Sequence, residues 1–128
     1  MTKILYIEDE PDNVEFVTIL LNDEGFEVHA KSTAADGLAA AEAWRPDVIL
    51  MDVQLDKYGR EMDGLEATRR LKSNPETSRI PIIMVSNFAF PDEIAQGLAA
   101  GADDYETKPF DFDKLVKKIV RLTSPAPH

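Results

Sequence analysis

Residues 47–52 read Asp47-Val48-Ile49-Leu50-Met51-Asp52, and this stretch decides how the rest of the chain is interpreted. A short apolar run of this kind is typical of a strand that is covered on both faces of a parallel sheet. The run ends in Asp52, and open α/β sheets bind their ligands in the crevice beyond the carboxyl ends of the strands. The sequence therefore predicts a buried strand over residues 47–51, with the Asp52 carboxylate at the ligand-binding edge of the sheet.

Short apolar segments alternate with helical patterns on both sides of this stretch. The predicted strands cover residues 3–7, 27–31, 47–51, 81–85 and 104–107. The predicted helices run from Pro11 to a stop at Gly25, from a cap at Ser32 or Thr33 through residue 43, over residues 63–73, from Pro91 to a stop at Gly101, and over residues 111–122. This alternation favours an α/β domain in which helices cover both faces of a five-stranded parallel sheet. We adopt the strand order 2-1-3-4-5 because it is common among flavodoxin-like sheets of this size. One domain over residues 1–122 and a flexible tail over residues 123–128 are expected.

Composition narrows the classes of function. The 128 residues are 44% hydrophobic and 30% charged, which is ordinary for a globular domain, and the net charge of −10 argues against nucleic-acid binding through a basic surface. The absence of cysteine excludes disulfides and thiolate metal sites, and it fits a reducing compartment. The first apolar run, Ile4 to Ile7, is too short for a signal peptide or a membrane span. We therefore expect a cytoplasmic protein that binds neither membrane nor nucleic acid.

Chemically active side chains follow four of the predicted strands: Glu8 and Asp9, then Asp52, Ser86 and Lys108. Any one of them alone is commonly a surface or helix-capping residue, but their shared position at one sheet edge favours a site. Carboxylates brought together repel each other and are tolerated mainly around a divalent cation, and a few hard oxygen ligands suit Mg²⁺, with Mn²⁺ as a substitute. A carboxylate beside such an ion can attack a phosphoryl group and hold it as an acyl phosphate, while an ammonium group stabilises the charge on the transferred oxygens.

The sequence resembles the receiver domains of two-component response regulators over residues 3–122. The segments that carry the resemblance are ILYIEDE at 4–10, VILMD at 48–52, MDG at 62–64, IIMVS at 82–86, GADDY at 101–105 and KPF at 108–110. An acid pair, a lone aspartate, a serine and a Lys-Pro dipeptide in this order form a specific set.

The resemblance implies a phosphoacceptor and a metal site. Asp52 would take a phosphoryl group from a phosphohistidine on a sensor histidine kinase or a phosphotransfer protein. Asp9, Asp52 and the main-chain carbonyl of Gln54 would bind Mg²⁺ directly, and Glu8 would act through water.

The resemblance also implies a switch. Ser86 and Lys108 would contact the phosphate, the bond before Pro109 would be cis, and the Tyr105 rotamer would follow phosphorylation. The face formed by the fourth and fifth strands and helices would then change its surface for partner docking.

Three features depart from the family pattern. The loop over residues 53–63 is longer than usual, Phe88 stands where a polar residue often influences the access of water to the phosphate, and Ser86 replaces the commoner threonine. The long loop is either a partner contact or a solvated insert, and the phenylalanines after the fourth strand either act at the site or pack on the fourth helix. The candidates for partner contact are Lys57, Tyr58, Arg60, Phe88 and Phe90.

Two other classes of protein and one further property stay open. An aspartate-nucleophile phosphatase uses similar groups, but it resembles a pattern with the nucleophile on the first strand and a second Asp where this chain has Gln54. A flavodoxin-like electron carrier would need a phosphate loop where Glu8 and Asp9 would repel the cofactor. A homodimer through the fourth and fifth helices is an alternative to a plain solvated face for the basic stripe of Lys114, Lys117, Lys118 and Arg121. No DNA-binding segment is expected after Leu122.

Overall fold

The computed structural model describes residues 1–55, 62–87, 90–108 and 111–124. Five strands alternate with five helices in these ranges. The strands are β1 (Lys3–Ile7), β2 (Glu27–Lys31), β3 (Val48–Asp52), β4 (Ile82–Ser86) and β5 (Asp104–Thr107). The helices are α1 (Pro11–Asp23), α2 (Ala34–Trp44), α3 (Gly64–Ser73), α4 (Pro91–Ala99) and α5 (Phe112–Thr123). All strand pairs are parallel, and the order β2-β1-β3-β4-β5 confirms the expected fold.

Small shifts at element ends have local causes. Strand β3 includes Asp52, which was expected just past the strand, because Asp52 still pairs with Val85 of β4. Thr33 rather than Ser32 caps α2, since its side chain accepts a 3.1 Å hydrogen bond from the Asp36 N–H. Asp63 is the cap of α3 rather than its first residue, and its carboxylate accepts from the Glu66 N–H at 2.9 Å.

The core forms two layers, one on each face of the sheet. The side chains of Ile4, Tyr6, Leu50, Ile83 and Val85 pack toward α1 and α5. Their strand neighbours pack toward α2, α3 and α4, namely Leu5, Ile7, Ile49, Met51, Ile82 and Met84. Strands β3 and β4 are buried along their whole length, which explains their unbroken apolar runs. The packed sheet thus fixes where the residues at its carboxyl edge lie.

A second polar cluster lies at the opposite, amino edge of the sheet. Lys3 Nζ donates to the Trp44 carbonyl at 2.6 Å and lies 5.0 Å from the centre of the indole ring. The His29 ring stacks on Trp44, with centroids 3.8 Å apart and planes 7° from parallel. The Asp47 carboxylate accepts from the Lys3 N–H at 2.7 Å. These contacts join β1, β2 and the end of α2.

The basic residues of α5 do not share one solvated face. Lys118 is partly buried, and its ammonium donates to the Tyr105 carbonyl at 2.8 Å and pairs with Asp104 at 3.2 Å and Glu106 at 2.7 Å. Arg121 pairs with the same Asp104. The interpretation of the stripe as a solvated face was therefore wrong for Lys118. The inward residues were predicted correctly, since Leu115 and Ile119 are buried and Leu122 is partly buried in the second layer.

Within the described ranges, every helix is too short or too polar to cross a membrane. Several predicted features lie outside those ranges, namely residues 56–61 of the long loop with Lys57, Tyr58 and Arg60, then Phe88, Pro109 and residues 125–128 of the tail predicted over residues 123–128. Thr123, expected as the first residue of that tail, still belongs to α5.

Candidate functional site

Three acids converge at the carboxyl edge of the sheet. Glu8 and Asp9 follow β1, Asp52 ends β3, and β1 and β3 are neighbours with Ile7 opposite Met51. One carboxylate oxygen of each acid lies within 4.8 Å of the others. Glu8 and Asp52 are 1% and 2% exposed, whereas Asp9 is partly exposed. The predicted convergence is confirmed, and two of the acids are more deeply buried than a surface turn would be.

Lys108 supplies the positive charge at this edge. Its ammonium lies 2.6 Å from Glu8 Oε1 and 3.5 Å from Asp52 Oδ1, and its backbone is held by a 2.7 Å bond from its N–H to the Ser86 carbonyl. The side chains of Asn13 and Tyr6 donate to the same Glu8 oxygen at 3.1 and 3.4 Å. Three donors therefore converge on Glu8 Oε1.

The crowding of buried acids shifts their pKa values. Burial raises the pKa of Asp52 to about 7, and the hydrogen bond and the negative charge of Glu8 act in the same direction. Burial also acts to raise the pKa of Glu8, but hydrogen bonds with Asp52 and Lys108 outweigh it and lower that pKa. Of Glu8 and Asp52, Asp52 is thus the acid whose negative charge is the more costly, and an added cation would stabilise that charge.

The same acids have oxygens left over for a metal ion. Among the described residues, Glu8 Oε2 and Asp9 Oδ1 are buried and have no hydrogen-bond partner. A buried polar oxygen without a partner is costly, and hard oxygen donors of this kind are the ligands that Mg²⁺ prefers. The residues present therefore fit a divalent cation between Glu8, Asp9 and Asp52.

Gln54 connects the phosphoacceptor candidate to the next strand. Its N–H donates to Asp52 Oδ1 at 3.1 Å, its side-chain Nε2 donates to Ser86 Oγ at 2.7 Å, and its Oε1 accepts from the Asn87 N–H at 3.3 Å. The resemblance to receiver domains implies a role only for the main-chain carbonyl of Gln54, not for its side chain. The strand order indicates that residues after β3 and β4 are neighbours, but the direction of a long side chain is not readable from the sequence.

Asn13 is the other residue at the site that sequence reasoning missed. It lies in the first turn of α1, which follows β1 directly, so its proximity to the carboxyl edge could have been inferred from the position of Pro11.

An open cavity of about 200 Å³ gives access to this edge. Its lining consists of Glu8, Asp9, Glu10, Asn13, Asp52, Gln54, Asn87 and Lys108. A buried carboxylate, an ammonium group and candidate metal ligands thus line one solvent-accessible space, which is an arrangement that suits phosphoryl transfer.

Two predicted switch or contact residues, Tyr105 and Phe90, do not belong to the lining of this cavity. Tyr105 is 9% exposed and belongs to the core layer on the α4 side, where a Cβ atom on Gly97 would fall 3.2 Å from its ring. Phe90 precedes α4 and is 62% exposed. Ser86 is fully buried at the end of β4, between the acid site and β5.

Comparisons with known proteins agree with this geometry. The family model described as response regulator receiver domain matches residues 4–120. Protein PilH of Pseudomonas aeruginosa is 36% identical over 119 residues, which are 93% of this chain and 95% of PilH. Transcriptional regulatory protein CseB of Streptomyces coelicolor is 39% identical over 118 residues, 92% of this chain, but the chain spans only 47% of CseB.

One solved structure matches the fold over almost the whole chain. The receiver domain of the sensor histidine kinase PA1611 from Pseudomonas aeruginosa, which has a magnesium ion coordinated in its active-site cleft, superposes with a TM-score of 0.86 at 31% identity. The match covers 97% of this chain and 98% of that domain. Receiver domains act as phosphoacceptor switches in two-component signalling, taking phosphoryl groups from histidine kinases or phosphotransfer proteins. The family match, the relatives and the acidic edge of the sheet together show that this chain belongs to the receiver domains of response regulators.

Proposed function

We propose that Asp52 is the phosphoacceptor of this receiver domain. A carboxylate oxygen of Asp52 attacks the phosphorus of a phosphohistidine on a sensor histidine kinase or a phosphotransfer protein. The new P–O bond forms as the P–N bond breaks, and the leaving imidazole nitrogen keeps the electron pair. The observation that carries this assignment is the burial of Asp52 beside Glu8 and Lys108 at an open cavity. The absence of cysteine fits the reducing cytoplasm as the place of the exchange.

The metal ligands in this proposal are Asp9, Asp52 and the main-chain carbonyl of Gln54, with Glu8 acting through water. The buried oxygens of Glu8 and Asp9 that lack a partner support the assignment. Bound Mg²⁺, or Mn²⁺ in its place, would neutralise charge on the transferred oxygens. Binding would also relieve the repulsion that raises the pKa of Asp52.

Lys108 and Ser86 are proposed to hold the transferred group. The Lys108 ammonium is already 3.5 Å from Asp52 Oδ1, so a small movement away from Glu8 brings it to a phosphoryl oxygen. Charge-assisted bonds of this kind are stronger than neutral ones, which favours the movement.

A change of surface is the proposed output. Ser86 pairs with Thr107 of β5, two residues beyond Tyr105, so a displacement of Ser86 toward Asp52 opens space on the side where Tyr105 lies. The face of α4, β5 and α5 would then dock a partner, or a second copy of the chain. The exposure of Leu98 and Val120, 48% each, supports a contact role for this face. The net charge of −10 favours protein over nucleic acid as the partner.

Phosphodonor labelling tests the assignment of Asp52. Wild-type protein with acetyl phosphate and Mg²⁺ should gain one phosphoryl mass that survives acid and is lost in base. Asp52→Asn should not be labelled, whereas Asp12→Asn, which alters an exposed acid in the first turn of α1, should be labelled like the wild type. Full labelling of Asp52→Asn would reject Asp52 as the acceptor.

Turnover separates a switch from a phosphatase. We expect the chain to phosphorylate and dephosphorylate itself only, so p-nitrophenyl phosphate with Mg²⁺ should give no sustained release of product. Continuous hydrolysis that depends on Asp52 would instead favour the phosphatase alternative.

A further inference from the structure

We propose that the side chain of Gln54 is a positioning residue, which holds the Ser86 hydroxyl as a hydrogen-bond donor for a phosphoryl group on Asp52. The inference rests on the proposed function of Asp52 and assigns a role to the carboxamide of Gln54, separate from its main-chain carbonyl. Three hydrogen bonds of Gln54 to three neighbouring residues carry the argument.

The orientation of the Gln54 amide follows from its neighbours. The main-chain N–H of Asn87 can only donate, so the atom of Gln54 that faces it at 3.3 Å must be the oxygen. The amide nitrogen then faces Ser86 Oγ at 2.7 Å and must donate to it. The two contacts together exclude the flipped amide, in which a nitrogen would face the Asn87 N–H.

The hydrogen bond from Gln54 limits the further hydrogen bonds that the Ser86 hydroxyl can make. A serine hydroxyl has one proton and two lone pairs, and the amide of Gln54 occupies a lone pair. The Ser86 proton is therefore directed to an acceptor other than Gln54. A hydroxyl that already accepts a hydrogen bond is polarised and becomes a better donor. Because Ser86 is fully buried, water does not compete for this arrangement.

The same residue is tied to the phosphoacceptor. Asp52 pairs with Val85 in the β3–β4 ladder, so Ser86 is one residue past the partner of Asp52. The Gln54 N–H also donates to Asp52 Oδ1 at 3.1 Å, which fixes the start of the loop after β3. A phosphoryl group on Asp52 would thus accept a hydrogen bond from the Ser86 hydroxyl, and the orientation of that hydroxyl is set by Gln54, which is itself bonded to Asp52.

A double-mutant cycle tests this role with beryllofluoride as the phosphoryl analogue. Binding of BeF₃⁻ at saturating Mg²⁺ would be measured by ¹⁹F NMR for the wild type, Gln54→Leu, Ser86→Ala and the double variant. Leucine has a similar volume but no polar atoms. One neutral hydrogen bond corresponds to a change in affinity of roughly threefold to tenfold, so Gln54→Leu should bind BeF₃⁻ about fivefold more weakly. In the Ser86→Ala background, Gln54→Leu should change the affinity by less than about twofold, because residues that act through one bond are not additive.

Two further variants separate positioning from a structural effect. Gln96→Leu replaces an exposed glutamine of α4 and should bind BeF₃⁻ like the wild type. Gln54→Glu keeps the shape and can still accept from the Asn87 N–H, but its carboxylate must accept from Ser86 instead of donating to it. Gln54→Glu should therefore lose at least as much affinity for BeF₃⁻ as Gln54→Leu. In the Ser86→Ala background, the two variants should differ in affinity only by the effect of the added charge.

Failure of this inference is distinguishable from failure of the proposed function. If wild type and Asp52→Asn respond identically to BeF₃⁻, the assignment of Asp52 is wrong. If the wild type binds but Gln54→Leu binds equally well, or loses the same factor with and without the Ser86 hydroxyl, only the positioning role is overturned. The thermal midpoint of each variant, measured without ligand, shows whether a loss of binding follows from unfolding.

Discussion

The Lys108 ammonium donates a 2.6 Å hydrogen bond to Glu8, although the two residues are 100 positions apart in the chain. The bond connects the end of β5 to the end of β1 across the carboxyl edge of the sheet. Asp52 lies 3.5 Å from the same ammonium, so one positive charge faces two buried carboxylates. Among the described residues, the negative charge at this edge therefore exceeds the positive charge, and we expect its stability to depend on Lys108 when no divalent cation is bound.

We expect Lys108→Ala to lower the free energy of unfolding by roughly 3 kcal/mol in the absence of divalent cations, because removal of one partner from a buried ion pair leaves the other charge uncompensated. Added Mg²⁺ should restore part of the loss by binding only the folded state. Urea unfolding with EDTA and with Mg²⁺ measures both effects.

Lys114→Ala is the matched control, because Lys114 is an exposed lysine of α5. That variant should unfold within about 0.5 kcal/mol of the wild type, as most surface substitutions do. Equal stability of the Lys108 and Lys114 variants would contradict the claim that Lys108 balances the buried acids.

Asp52→Asn should stabilise the metal-free protein. Burial and the neighbouring Glu8 raise the pKa of Asp52 to about 7, so at pH 8 Asp52 is mostly ionised and its charge destabilises the folded state relative to the unfolded one. A neutral amide of the same shape removes that repulsion, and we expect a gain of about 1 to 2 kcal/mol in EDTA at pH 8. Urea midpoints for this variant and for Asp12→Asn measure the effect, and a less stable Asp52→Asn protein would show that the repulsion is not felt.

Asp9→Ala should weaken Mg²⁺ binding while leaving the fold intact. Asp9 Oδ1 is a buried oxygen without a hydrogen-bond partner, and Asp9 is partly exposed, so its loss removes a ligand and few contacts. We expect an affinity loss of more than about tenfold, the factor that even outer partners of a metal ion typically contribute. Isothermal titration with MgCl₂ measures it, with Asp12→Ala as the control. Unchanged Mg²⁺ affinity in Asp9→Ala would remove Asp9 from the ligand set.

The ion pairs between β5 and α5 predict that the free energy of unfolding depends on pH. Burial acts to raise the pKa of Asp104, but hydrogen bonds from the Tyr105 N–H, Lys118 and Arg121 outweigh it, so the pKa is lowered. A carboxyl whose pKa is lower in the folded state stabilises the fold above its unfolded pKa of about 3.9. That stability is lost as the pH falls through the folded value.

Asp104→Asn should therefore be less stable than the wild type at pH 7. This difference in stability should vanish as the pH falls below the usual pKa range of an aspartate, through the lowered pKa of Asp104 in the folded state. Lys118 stays charged over this pH range, because hydrogen bonds with Glu106 and Asp104 raise its pKa despite its burial. Urea midpoints between pH 7 and pH 3 measure the difference, with Glu15→Gln on the exposed side of α1 as a variant that should show none. A difference that grows toward low pH would reverse the sign of the argument.

The sequence was sufficient for features that depend on the alternation of apolar strands and amphipathic helices. Because parallel strands all end at the same edge, the meeting of Glu8, Asp9 and Asp52 could be predicted without coordinates. The location of Lys108 near these acids followed from the same rule, and the structure confirms it.

Features that depend on the direction of long side chains were not predictable. Gln54 reaches across to β4, and Lys118 folds back onto β5, and in both cases the choice is made by partners that are distant in the chain. Periodicity places Lys118 on the face of α5 away from the core, but it cannot show that Asp104 and Glu106 neutralise it. The depth of burial of Glu8 was also hidden, because a run of three acids after a strand is commonly a solvated turn.

The stack of Trp44 on His29 has a practical consequence for all of these measurements. Trp44 is the only tryptophan in the chain, and its carbonyl is bound by Lys3 at the start of β1, whereas the acids follow the end of that strand. Five residues of extended backbone separate the two ends by about 16 Å. Indole fluorescence should therefore report unfolding while staying insensitive to what binds at Asp52. Binding at the acid site then has to be followed by a separate signal.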